Sequence, residues 1–199
     1  MFRYDGLLFN YLDAQYNTTR LNERAIEVPV ALHHLREHER DALEVGCVLP
    51  HYLPWNEPDY PRHTVLDLYE QWPGIINENV FTWQSPRLYD LVISISTLEH
   101  MGGEAAWLRA FERLRSWVAP GGFLFVTVPG QCADPLHDTL WLTPARLSEL
   151  DVIVKRFDKV YIETHEWRRI APPDCLPPLA YDGPTRWANT IYFLEWWRD

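Results

Sequence analysis

Four short apolar runs, each ending in a polar residue or a glycine, recur between residues 41 and 129 of the chain. Runs of this length, separated by longer segments, are typical of buried parallel strands. A doubly wound sheet binds ligands at the carboxyl ends of its strands, where Gly46, Asp67 and Ser96 are expected. The pattern therefore predicts an α/β fold with a nucleotide-like ligand. The runs lie within residues 41–50, 63–67, 89–100 and 120–129.

The residues at these strand ends resemble the motifs of the class I S-adenosylmethionine-dependent methyltransferases. Glu44-Val-Gly46 is similar to the first motif of the family, and Asp67 resembles the acidic residue that closes its second strand. The segment 89–100 resembles the fourth strand with its following turn, and the segment 119–124 resembles the turn into the fifth strand. The four motifs occur in the order of the family, and the resemblance extends from about residue 41 to the C-terminus.

The resemblance implies a doubly wound, mostly parallel seven-stranded sheet, with an antiparallel C-terminal strand pair and helices on both faces. We expect one domain over residues 1–199, in which 1–38 form an N-terminal cap or lid segment with a helix and 39–199 form a Rossmann-like core. Helices are predicted at 21–38, with a kink or restart at Pro29, and at 104–118 and 143–157. Strands are predicted at 41–45, 64–68, 74–77, 88–94, 123–128, 159–164 and 189–196.

The first motif departs from the family pattern after Gly46. Where the family carries further glycines, this chain has Cys47, Val48, Leu49 and Pro50. Further prolines follow, so a regular helix over residues 50–61 is not expected. A loop with few glycines is stiffer and leaves less room for a ligand. Either the cofactor is held differently, with His51 or Tyr52 covering it, or cofactor binding has been lost.

The resemblance implies S-adenosylmethionine as the cofactor. Asp67 would accept hydrogen bonds from the ribose hydroxyls, as in dinucleotide folds, or would merely cap a turn. Gly46 would let the backbone approach the ligand, or would form an ordinary strand-to-loop turn. Glu44 would orient the amino-acid end or brace the loop. Asn79 follows the third strand, where the family reads the adenine edge, and Ser96 ends the fourth strand.

Methyl transfer from a sulfonium depends mainly on alignment of the donor with the acceptor. A hydroxyl acceptor also needs a general base, for which His100 is the first candidate and His137 the second. The alternative for His100 is a structural histidine bonded to the backbone. The chain has Ser94-Ile-Ser96-Thr where many exocyclic-amine methyltransferases carry an Asn/Asp-Pro-Pro-aromatic motif. This difference favours a hydroxyl acceptor over a nucleobase amine.

The acceptor site is expected to include the N-terminal segment, which in the family commonly folds over the cofactor as a lid. Tyr16, Arg20 and Arg24 are its candidate substrate-binding residues. The alternative is a solvated helix face with local ion pairs. His34 and His38 are spaced by one helical turn, but no accompanying carboxylate or cysteine pattern favours a metal site.

The composition limits the partners. A net charge of −10 disfavours nucleic acid, because phosphates would be repelled. No apolar run is long enough for a membrane span, and the charged N-terminus does not resemble a secretory signal. Three widely spaced cysteines suit the cytoplasm. The aromatic C-terminus suits a homodimer contact.

Three classes of function follow. The favoured one is O-methylation of a small molecule or saccharide with S-adenosylmethionine. The second is a catalytically inactive methyltransferase-like subunit that binds a partner, which the glycine-poor first motif supports. The third is a nicotinamide-dependent oxidoreductase, which is disfavoured because no Gly-x-Gly-x-x-Gly follows a predicted strand.

Overall fold

The computed structural model of the chain describes residues 1–21, 23–37, 41–53, 62–102, 104–130, 159–164 and 190–199. The helix predicted at 143–157 lies outside these ranges. The α-helices are α1 (Arg24–Glu37) and α2 (Glu104–Trp117), and short 3-10 helices occupy Tyr16–Leu21, Leu49–His51 and Leu98–His100. The strands are β1 (Phe2–Tyr4), β2 (Leu7–Phe9), β3 (Ala42–Val45), β4 (His63–Leu66), β5 (Tyr89–Ile95), β6 (Val118–Gly130), β7 (Lys159–Thr164) and β8 (Thr190–Trp197).

The main sheet contains six described strands in the order β4-β3-β5-β6-β8-β7. The first four run parallel, whereas β8 is antiparallel to both β6 and β7. The mostly parallel sheet with an antiparallel C-terminal pair is thus as predicted.

The prediction of a continuous strand at 74–77 is wrong. The segment is reduced to one parallel bridge between Leu66 and Ile76. The Asn77 side chain turns back and donates to the backbone oxygens of Asp67 and Glu70, at 3.2 and 2.5 Å. This local hydrogen bonding replaces a longer ladder.

The two helices cover opposite faces of the sheet, because successive residues of a strand point to opposite sides. Leu91 and Ile93 of β5 pack with the α1 side, whereas Val92 between them packs with the α2 side. α1 continues through Pro29 from Arg24 to Glu37. No helix within the described ranges is long and apolar enough to cross a bilayer.

A hairpin of β1 and β2 precedes α1. Its turn is Asp5-Gly6, with φ of +45° and +79°. Positive φ at both central residues is the requirement of a type I′ turn, one of the two common two-residue hairpin turns, and Asp-Gly is a strong sequence signal for it. The hairpin was not predicted, although its turn residues indicate it. The hairpin places Phe2 and Tyr4 in the core on the α1 side of the sheet.

Tyr4 reaches a buried carboxyl group in β8. Its hydroxyl donates to Glu195 Oε1, and His34 Nε2 of α1 lies 3.7 Å from the same oxygen. Glu195 is 2% exposed, and burial raises its pKa to about 7. The folded protein therefore retains a proton at Glu195 at pH values where the unfolded chain, with a pKa of about 4.5, has released it.

This difference predicts a pH-dependent stability. The contribution of Glu195 is fully present below about pH 4.5 and is lost as the pH rises towards 7. The slope attributable to one proton is at most about 1.4 kcal/mol per pH unit. Glu195→Gln keeps an acceptor for Tyr4 but does not titrate. It should therefore reduce the fall in the free energy of unfolding between pH 4.5 and 7. Urea unfolding from pH 4.5 to 7.5 measures this free energy. If its pH dependence is the same in the wild type and in Glu195→Gln, Glu195 is not the group responsible.

Candidate functional site

The carboxyl ends of β3, β4 and β5 meet at one edge of the sheet. β3 lies between β4 and β5 in the sheet. The connection from β3 to β4 runs to one side of β3, and the next strand, β5, lies on the other side. This is a topological switch point, where α/β sheets form a crevice. Gly46, Asp67 and Ser96, which the sequence predicted at strand ends, directly follow these three strands.

Both the backbone conformation and a neighbouring side chain require glycine at position 46. Its φ is +91°, and a Cβ atom there would lie 2.1 Å from Thr97 Oγ1. Thr97 follows β5, so the absence of a side chain at Gly46 lets the ends of β3 and β5 approach closely. Any larger residue would displace Thr97.

The loop after Gly46 is braced by a buried carboxylate in place of further glycines. Glu44 is fully buried, and its Oε1 accepts hydrogen bonds from the backbone N–H groups of Val48 and Leu49, at 2.7 and 2.8 Å. Its Oε2 lies 2.9 Å from His63 Nε2. Of the two roles predicted for Glu44, this geometry corresponds to bracing the loop.

Asp67 connects the same loop to the turn after β4. Its Oδ2 accepts the N–H of Cys47 at 2.9 Å, and its Oδ1 accepts the N–H groups of Tyr69 and Glu70, both at 2.8 Å. The turn-capping alternative for Asp67 is therefore present in the structure. The side chain remains partly exposed at the crevice.

Cys47 lies between these acidic groups. Burial, followed by the charges of Glu44, Glu70 and Asp67, raises the pKa of its thiol well above the usual range. The sulfur is therefore a neutral thiol at physiological pH and does not act as a thiolate nucleophile.

A cleft of about 230 Å³ opens between this loop and the N-terminal segment. The ring of Tyr16 stacks on that of His51, with centroids 4.3 Å apart and planes 6° from parallel. Arg20 belongs to the 3-10 helix Tyr16–Leu21, but its side chain is not among those described. The lining residues are Tyr16, Asn17, Arg24, Cys47, Val48, His51 and Tyr52. Two predicted substrate-binding residues and both predicted covering residues thus share one cleft.

The end of β5 is joined to α1 by a buried polar chain. Ser96, at a strained φ of +39°, donates its hydroxyl to Glu27 Oε1 at 2.5 Å. The other carboxylate oxygen of Glu27 accepts from Arg24 at 2.5 Å. Glu27 was not among the predicted site residues, although a carboxylate on the buried face of a helix is a usable signal.

Glu99 is a third buried carboxyl group at this edge. It is 1% exposed, and its Oε2 has no hydrogen-bond partner among the described residues. Its pKa is raised well above the ordinary value, mainly by burial and further by the charges of Glu27 and Glu23, whereas a hydrogen bond from its own backbone N–H and the charge of Arg24 act in the opposite direction. An unsatisfied buried carboxyl is costly, so its position requires an explanation.

The remaining predicted residues lie around this edge. His100 has a side chain 56% exposed, with Nε2 3.8 Å from Glu99 Oε1. Asn79 caps a turn, because its Oδ1 accepts the N–H of Phe81 at 2.9 Å. Asn77, two residues before Asn79, is the side chain that bonds to the backbone of Asp67. His137 lies outside the described residues.

Comparisons with known proteins agree with this architecture. The model of a methyltransferase domain family matches residues 17–171. A comparison with curated protein sequences found no match.

Solved structures show the same fold at low sequence identity. The N-methyltransferase NodS from Bradyrhizobium japonicum WM9 has a TM-score of 0.56 at 14% identity, covering 85% of this chain and 93% of that chain. The 1,6-didemethyltoxoflavin-N1-methyltransferase of Burkholderia thailandensis has a TM-score of 0.55 at 15% identity, covering 85% and 75%. A SAM-dependent methyltransferase from Archaeoglobus fulgidus has a TM-score of 0.56 at 13% identity, covering 85% and 90%.

Proposed function

This chain belongs to the class I S-adenosylmethionine-dependent methyltransferases, and from that premise we propose that it methylates a hydroxyl group of a small molecule or saccharide. The bound cofactor supplies an activated methyl group on a sulfonium. The contribution of the protein is to bind and orient the two reactants. The observation that carries the proposal is the cleft between the first-motif loop, which follows β3, and the N-terminal segment.

The residues at the crevice fit the cofactor of the family. Gly46 leaves no side chain where the strand ends converge. Asp67 accepts three backbone N–H groups, and a carboxylate has about four acceptor sites, so capacity for a ribose hydroxyl remains. We assign Asp67 both roles, the turn cap and the ribose contact.

The polar side chains near the end of β5, and the hydrogen bonds that they make, support a hydroxyl acceptor. The hydroxyl of Ser94 donates to Val45 O at 3.0 Å, that of Ser96 to Glu27, and that of Thr97 to Ile95 O at 2.9 Å. These three positions carry hydroxyl side chains where the Asn/Asp-Pro-Pro-aromatic motif of exocyclic-amine methyltransferases begins with an amide or a carboxylate. The exposed His100 is the side chain we assign as the general base for a hydroxyl.

The test of the proposed function is calorimetric titration with S-adenosylhomocysteine. We expect micromolar binding by the wild type and a loss of about 30-fold or more in Asp67→Ala, which lacks the ribose contact and releases the Cys47 and turn N–H groups. Glu112→Gln, an exposed change on α2, is the matched control.

If the wild type binds, an acceptor screen follows, beginning with hydroxylated sugars. Amines serve as the comparison, because NodS and the toxoflavin enzyme are N-methyltransferases. Turnover of amines and not of hydroxyl compounds would contradict the proposed acceptor. No binding by the wild type would favour the alternative, a catalytically inactive methyltransferase-like binding subunit.

A further inference from the structure

We propose that His63 is a positioning residue of the cleft, because its Nε2–H donates to Glu44 Oε2 and so fixes the carboxylate that shapes the first-motif loop. The inference rests on the proposed function and deepens it, since it adds a residue that acts on the cleft through Glu44. His63 was not among the site residues expected from the sequence.

The parallel pairing of β3 with β4 brings the two side chains to one face of the sheet. Glu44 pairs with Val65, and His63 lies two residues before Val65 on the same strand. Because residues two apart on a strand point to the same side, His63 shares a face with Glu44. Their side chains meet there, with 2.9 Å between His63 Nε2 and Glu44 Oε2.

Burial makes each of these two atoms depend on the other. Glu44 is fully buried, and the side chain of His63 is 7% exposed. Neither Nε2 nor Oε2 makes a hydrogen bond to any other residue that the structure describes. Two unprotonated acceptors 2.9 Å apart would repel each other, so Nε2 carries a proton. The imidazole N–H then offsets part of the cost of burying a carboxylate.

The other oxygen of Glu44 transmits this effect to the cleft. Oε1 accepts the N–H groups of Val48 and Leu49, and Val48 lines the cleft together with Cys47. A carboxylate held at one oxygen can turn about its last side-chain bond, whereas one held at both oxygens cannot. His63 therefore preorganises a loop that has few glycines, although His63 is not itself a lining residue.

The first measurement locates the proton by NMR of protein labelled with ¹⁵N-histidine, which distinguishes the two ring nitrogens. We expect a proton on Nε2 of His63 in the wild type, with the signal assigned by its loss in His63→Gln. Glu44→Gln should remove that proton from Nε2. Its amide oxygen still accepts from Val48 and Leu49, so its NH₂ group faces His63 and requires Nε2 as an acceptor. A histidine that only fills space would not respond in this way.

The second measurement is calorimetric titration with S-adenosylhomocysteine. His63→Leu removes the donor and should weaken binding by about 10-fold or more, whereas His63→Gln keeps an N–H donor and should recover most of that affinity. In the Glu44→Gln background, His63→Leu should have little further effect, because the two residues act as a unit. His33→Leu, on α1 and outside the cleft lining, is the matched histidine control.

Four results would overturn the inference. They are an unprotonated Nε2 in the wild type, an Nε2 that keeps its proton in Glu44→Gln, wild-type affinity in His63→Leu, and equal losses in His63→Leu and His63→Gln. If His63→Leu does not fold, the NMR comparison of the wild type with Glu44→Gln decides. A wild type that does not bind S-adenosylhomocysteine would refute the proposed function, whereas the NMR comparison would still report whether His63 fixes Glu44. The two failures are therefore distinguishable.

Discussion

Gly46→Ala is expected to lower the free energy of unfolding by about 3 kcal/mol and to remove measurable binding of S-adenosylhomocysteine. Two costs add at this position. The backbone has a φ of +91°, which alanine adopts only with strain, and the new Cβ atom would lie 2.1 Å from Thr97 Oγ1. Urea unfolding measures the first effect and calorimetry the second.

Gly102→Ala separates the two costs. Gly102 has nearly the same φ, +90°, but no atom lies within 4 Å of a Cβ added there. Gly102→Ala should lower the free energy of unfolding by about 1 kcal/mol, from the backbone strain alone. Adding Thr97→Gly to Gly46→Ala removes the clashing side chain and should restore part of the stability. Equal losses in Gly46→Ala and Gly102→Ala would show that contact with Thr97 is unimportant.

The second large effect is expected at Glu44. Glu44→Ala leaves the N–H groups of Val48 and Leu49 without their acceptor and removes the partner of the nearly buried His63. We expect a loss of about 4 kcal/mol in the free energy of unfolding, and weaker binding of S-adenosylhomocysteine because the loop is released.

Glu44→Gln is the matched comparison. Its amide oxygen can still accept from Val48 and Leu49, so the expected loss is smaller, about 1–2 kcal/mol. Glu78→Ala, at an exposed site, should leave the unfolding curve unchanged. If Glu44→Ala is no more destabilising than Glu44→Gln, the bonds to the loop do not stabilise the fold.

The sheet could be predicted from the sequence because buried strands need apolar runs whatever their surroundings. β5 and α2 follow directly from such patterns, and β7 and β8 were located within a residue or two. The strand around Ile76 was predicted wrongly, because the side-chain bonds of Asn77 compete with a ladder and leave no periodic signal.

The site was predictable only in its outline. Strand ends indicated Gly46 and Asp67, since those positions follow from the sheet alone. The pairing of Ser96 with Glu27 joins residues 69 positions apart, and no local pattern encodes it. The burial of Arg24 and Glu99 likewise depends on how α1 lies against β5, which periodicity does not specify. The carboxylate brace at Glu44 was one of two open alternatives, because bonds to backbone N–H groups depend on the loop conformation.

The position of β8 between β6 and β7 has a consequence for biosynthesis. β7 leaves the ribosome before β8, yet it pairs only with β8 in the described sheet, and β6 also pairs with β8 on this side. Until β8 emerges, β6 presents an unpaired edge and β7 has no neighbour. Until β8 has been synthesised, the nascent chain therefore carries an open strand edge, which favours aggregation.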